Sequence, residues 1–147
     1  LLFIVLMPTQ AIATQLAADH IKCEKLGLGL PAQGEPAELK RAWLEWRNQH
    51  VEIPGGHAAD GLTLVGLRRC VTSEGNMAHV VYTRQGRPLS LFIFAKGRPG
   101  SGAVEALGHK AILWQSGSLT YALVGRSEGL QHTAMWMQEQ VRLKTED

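Results

Sequence analysis

Gly61–Ala95 reads GLTLVGLRRCVTSEGNMAHVVYTRQGRPLSLFIFA, and its alternation decides the fold. Runs rich in β-branched and aromatic residues, broken by short polar clusters, mark strands joined by hairpin turns. The pattern predicts strands over Leu62–Val71, Met77–Arg84 and Pro88–Phe94. Ser73-Glu74-Gly75-Asn76 and Gln85-Gly86 are the intervening turns. Tight, centred turns fix the register: Tyr82 opposes Leu89, Val80 opposes Leu91, and Cys70 opposes His79. Both faces of this ribbon carry apolar side chains, so the sheet is expected to be covered on at least part of both sides.

Downstream, Ala95–Gly108 is rich in glycine and reads as a flexible loop. Ala111–Gln115 and Leu119–Val124 are two further strands around Ser116-Gly117. Ser127 is a good N-cap for a last helix over Glu128–Leu143, whose apolar face is Leu130, Ala134, Met137 and Val141. Upstream, LGLGLPAQGEP reads as a loop, and Pro36 opens a helix that runs to Gln49. Leu39, Trp43 and Trp46 share one face of it. That spacing suits a core face; tryptophan also favours interfaces, which makes Trp43, Trp46 and Trp136 the candidate interface residues. The expected class is α+β: an antiparallel sheet of about five strands with two packed helices.

Leu1–Met7 (LLFIVLM) is wholly apolar, and Ala11-Ile12-Ala13 follows shortly after Pro8. Residues 1–13 read as the end of a transmembrane anchor, or as a signal-peptide h-region closing on a small-residue site. Seven residues of helix rise about 10 Å against a hydrocarbon core of about 30 Å, so an anchor needs upstream residues. Residues 14–147 then form an extracytoplasmic domain, entered through a linker over Thr14–Ala18.

Several function classes find little support. A net charge of +2, with basic pairs as short as Arg68-Arg69, is not a nucleic-acid footprint. Gly27-x-Gly29 lacks the third glycine of a nucleotide fingerprint. Ser90 has no nucleophile elbow, and H-E-x-x-H does not occur. His50, His57, His109 and His132 are scattered and read as surface or cap residues, while Asp19 and Asp60 stand apart from other carboxylates. The chain is therefore not expected to be an enzyme.

One resemblance emerges from motif order. Gly61, Leu62, Leu64, Val65, Gly66 and Arg68 open the first strand; Tyr82, Gly86, Ser90 and Leu91 mark the hairpin that follows. Trp114, Gly117, Tyr121, Ala122, Leu123 and Gly125 mark a second hairpin before the closing helix. This order resembles the extracytoplasmic domain of bacterial transmembrane anti-sigma factors, over roughly residues 19–142. The family's cytoplasmic sigma-binding domain would precede Leu1. The resemblance implies a domain facing the periplasm from the bacterial inner membrane, with protein partners and no nucleic-acid contact. Its cysteines, in DHIKC and RRC, look like those of a subset of such domains.

Cys23 and Cys70 are the only cysteines. An even count in an oxidising compartment argues for a disulfide, closing a loop worth about 4 kcal/mol in the chain-entropy model. A metal centre of His20, Cys23, Cys70 and His79 is the rival, suited to zinc or copper, with haem further off. Free thiols in a redox sensor are a third reading. The expected function is a non-enzymatic interaction domain, an accessory or stabilising subunit of a membrane complex, respiratory or photosynthetic. The sensor half of an anti-sigma factor and a metal- or redox-responsive binding domain are the alternatives.

Overall fold

Strand pairing organises the chain into one antiparallel sheet of order β1-β2-β3-β6-β5-β4. The computed structural model describes residues 8–26, 30–72, 75–95, 101–126 and 128–146, of which 8–9, 24–26, 69–72, 75–76 and 145–146 by backbone alone. The strands are β1 (Leu62–Thr72), β2 (Gly75–Arg84), β3 (Arg87–Ala95), β4 (Gly102–Ala106), β5 (His109–Ser116) and β6 (Leu119–Gly125). The helices are α1 (Pro8–Leu26), α2 (Pro36–Arg47) and α3 (Leu130–Glu146). Two three-stranded meanders, β1-β2-β3 and β4-β5-β6, meet through the antiparallel pair β3·β6. The α+β class and the antiparallel sheet are as expected, with six strands rather than five and three helices rather than two.

The first correction concerns the N-terminal region. Pro8–Leu26 form one helix, α1, which takes in the linker expected over Thr14–Ala18 and runs through the expected boundary at 13/14. Ile12, Ala13, Leu16, Ala17 and His20 are buried and recur at helical spacing. The two alanines, both fully buried, let the helix approach the sheet closely. α1 lies over β3, β6, β5 and β4 and packs on Phe92, Phe94, Leu113, Ala122 and Val124. Among the described residues no helix is long and apolar enough to cross a membrane. Leu1–Met7 lies outside the described residues.

The second correction is β4, which lies in the segment read as a flexible loop. Its residues are mostly exposed and it forms the edge of the sheet, so it lacks the alternation that marks a half-buried strand. The third is a register. Cys70 opposes Met77, and His79 opposes Arg68. Thr72 pairs with Gly75, so the turn has two residues instead of four and each partner moves by two positions. The pairs Tyr82·Leu89 and Val80·Leu91 form as expected. Gln85 (φ 52°) and Gly86 (φ 80°) both adopt the left-handed conformation that a two-residue hairpin turn requires.

The second face of the sheet is covered by α2 and α3. Leu39 and Trp43 of α2, and Leu130, Ala134, Met137 and Val141 of α3, join Val80, Tyr82, Leu91, Trp114, Tyr121 and Leu123 in the larger core. α3 thus buries the four residues expected of it; Ser127, its expected cap, lies outside the described residues. The loop after α2 is tied down from both meanders. Tyr82 Oη donates to Pro54 O (2.6 Å), and Tyr121 Oη accepts from Glu52 N (3.1 Å). Gly66, beside a bulge at Val65, meets the loop at Ala32: a Cβ there would stand 2.7 Å from Ala32 O. Glycine is required at that approach, which gives the motif residue a structural role.

Candidate functional site

The polar centre of the molecule is Ser90, on β3 beside the edge of α1. Its hydroxyl lies 2.5 Å from His20 Nδ1 and 2.7 Å from His79 Nε2. All three residues are buried: Ser90 and His20 are 3% exposed and His79 1%. α1 delivers His20 from its sheet-facing stripe. β2 delivers His79, whose ring stacks on Phe92 with centroids 4.4 Å apart. Burial, reinforced by nearby His109, pulls the His20 pKa from 6.5 down to about 4. Burial first, then the charge of Arg68 and the neighbouring His20, pulls His79 down to about 3. Both rings are therefore neutral at pH 7, and the Ser90 hydroxyl donates to one ring nitrogen while accepting N–H from the other. The hydroxyl is held by a bond on each side, whichever ring takes the donor role.

Two cavities flank His20. The smaller, about 110 Å³, is lined by His20, Cys23, Arg68, His79 and Ser90, with Pro88 and its neighbours forming the apolar wall. The larger, about 540 Å³, is lined by His20, Arg87, Pro88, Gly108 and Arg126. Arg68 Nε and Nη1 are buried with no hydrogen-bond partner among the described residues. His109 meets His20 edge-on, with centroids 5.1 Å apart, and donates from Nδ1 to Leu107 O (3.1 Å). It is 6% exposed, so its reading as a surface or cap residue is corrected: it is a core histidine.

The structure brings His20, Cys23 and His79 to one cavity. Cys23 carries a free thiol, and the side chain of Cys70 lies outside the described residues. Among the described residues no group of three or more His, Cys, Asp or Glu is placed to hold a metal ion. One nitrogen of each ring, His20 Nδ1 and His79 Nε2, faces the Ser90 hydroxyl, and Arg68 stands across from His79. A cation beside a guanidinium is electrostatically opposed.

The tryptophans divide. Trp43 is 1% exposed and donates from Nε1 to Gln49 Oε1 (2.9 Å), so it belongs to the core and offers no interface. Trp46 is half-buried and meets Trp43 edge-on. Trp136 is half-buried and stacks on His57, 4.5 Å between centroids and 10° from parallel. Sequence reasoning missed Ser90 and Arg68. Ser90 meets His20 across 70 residues of chain, a contact that only the docking of α1 creates. No protein-family model matches the chain, and no curated protein and no solved structure matches it significantly.

Proposed function

We propose that this chain is a non-enzymatic interaction domain held at the outer face of a bacterial inner membrane, serving as an accessory subunit of a membrane complex. One observation carries the reading. The apolar run Leu1–Met7 leads directly into α1, and α1 is packed across four strands rather than hung on a linker. α1 moves with the sheet, so membrane attachment next to it would set the orientation of the domain. The motif order shared with anti-sigma extracytoplasmic domains supports the same compartment.

The sensor-half reading is favoured by a different feature. The His20–Ser90–His79 network sits at the end of α1 farther from Leu1 and joins that helix to β2 and β3. A change at that network would be felt by the segment that leads to the membrane.

Fractionation of the full chain in a bacterial host tests the proposal. The protein is expected in the membrane pellet and accessible to protease from the periplasm. Ile4→Asp with Leu6→Asp is expected to move it to the soluble fraction, since each charge costs about 3 kcal/mol in a membrane-spanning segment. A wild-type chain that stays soluble overturns the reading. In the same preparation, intact mass with and without reductant reads the state of Cys23 and Cys70: a two-hydrogen loss reversed by reductant assigns a disulfide. An unchanged mass after reduction assigns both residues as thiols.

A further inference from the structure

We propose that the two cavities around His20 form a binding site for an oxyanion, a phosphate or sulfate group, held by Arg68, Arg87 and Arg126. The argument starts from the lining. Three arginines reach these cavities, one in the smaller and two in the larger. No Asp or Glu lines either cavity among the described residues. The cavities share His20 and Pro88, so they adjoin at these two residues.

Arg68 is the second observation. Arg68 is half-buried as a residue, yet a donor group removed from water is destabilising unless it finds an acceptor. Nε and Nη1 of Arg68 are buried and have none among the described residues. Among the described residues the neighbouring side chains do not supply an anion: His79 and His20 are neutral imidazoles, and Ser90 is a hydroxyl already bonded on both sides. An oxyanion supplies both the missing charge and the acceptor atoms. Its geometry also suits the residues present, because guanidinium forks bind phosphate and sulfate oxygens in pairs where an ammonium offers a point charge. Arg87 and Arg126 are exposed at the mouth and can take oxygens without cost to the core.

The anion can come from a free solute or from a lipid headgroup, and the site is independent of where the chain resides. Calorimetric titration of the intact chain with inorganic phosphate and with sulfate, at constant ionic strength, reads the first source. Binding to phosphatidylglycerol vesicles against phosphatidylcholine vesicles reads the second. Saturable binding in either arm is expected, with an accompanying rise in Tm for the soluble anions. Arg87→Ser with Arg126→Ser lies at the exposed mouth and should leave the fold intact. It is expected to weaken binding at least about tenfold, the equivalent of one charge-assisted contact. Arg68→Gln is expected to abolish it. The absence of saturable binding in both arms overturns the proposal, as does binding that the double variant retains in full.

Discussion

Acidification from pH 7 to pH 4 is expected to lower the stability of the domain by on the order of 5 kcal/mol, with His20 and His79 responsible. Both side chains ordinarily titrate near 6.5; in the fold their values fall to about 4 and about 3. The unfolded chain therefore takes up protons below pH 6.5 while the native rings stay neutral. Proton uptake by the unfolded state draws the equilibrium toward it. The stabilisation is complete above pH 6.5 and is lost progressively as pH falls toward the native values. A loss of this size is comparable with the whole stability of an ordinary domain. Asp60 acts in a different window: its native pKa is depressed, first by its bond to Arg84, so its contribution persists until the pH falls below the usual carboxylate range.

The unfolding should begin at α1. A protonated His20 or His79 would place a second cation beside Arg68, and each ring would gain a donor where the Ser90 hydroxyl can accept only one N–H without losing its own bond. Urea denaturation from pH 7 to pH 4 is the measurement, with His20→Gln and His79→Gln combined as the comparison. The double variant is expected to be less stable at pH 7 and nearly flat with pH. A wild-type profile that is already flat, or a variant with the wild-type slope, would sink the assignment.

The parts of the fold visible in the sequence are those specified locally. Gln85-Gly86 sets the β2–β3 register because a two-residue turn admits one alignment, and the alternation of Val80, Tyr82, Leu89 and Leu91 agrees with it. The stripe Leu130, Ala134, Met137 and Val141 marks the buried face of α3 for a similar reason. α1 was also written in the sequence, as Ile12, Ala13, Leu16, Ala17 and His20, but the apolar run before it and the Ala-Ile-Ala triplet suit a targeting segment equally well. What decides between them is the presence of a receptive sheet face, a tertiary fact. Cys70 went astray by two positions because Ser73-Glu74-Gly75-Asn76 permits turns of two or four residues, and both keep the same faces paired.

The site was legible in the same limited way. The spacing of His20 and Cys23, with His79 on the hairpin, flagged three residues that share a cavity. Residue types alone allowed a disulfide, a metal centre or free thiols, and the side chain of Cys70 lies outside the described residues. What residue types did not flag is Ser90, a hydroxyl bonded to both rings, and Arg68, an adjacent cation. Neither residue type carries a sequence signature for such a role.

Removing Arg84 is expected to destabilise the fold by about 3–5 kcal/mol, the cost of leaving one partner of a buried ion pair without the other. Asp60 looked isolated because it has no carboxylate partner; its partner is a guanidinium. Arg84 and Asp60 side chains are 10% and 11% exposed. Arg84 Nε and Nη2 donate to Asp60 Oδ1 at 3.1 and 2.8 Å, and Nη1 donates to Glu128 O at 2.8 Å. The other carboxylate oxygen accepts from Thr133 Oγ1 at 2.7 Å. These bonds join the turn before β1, the end of β2 and the start of α3. Arg84→Met leaves Asp60 charged and buried with only a hydroxyl for company, and Glu128 O loses its donor. Arg84→Lys is also expected to fall short, because one ammonium on a flexible stem cannot reproduce three directed bonds. Asp60→Asn keeps the shape and the Thr133 contact but strands the cation. A double-mutant cycle of Arg84→Met and Asp60→Leu, followed by urea denaturation, separates the pair from its surroundings. The two losses should be strongly non-additive, with the double variant less damaged than the sum of the singles. Additive losses, or a single loss below about 1 kcal/mol, would put the pair in the class of exposed surface bridges. The burial of both side chains and the three bonds that Arg84 makes argue against that class.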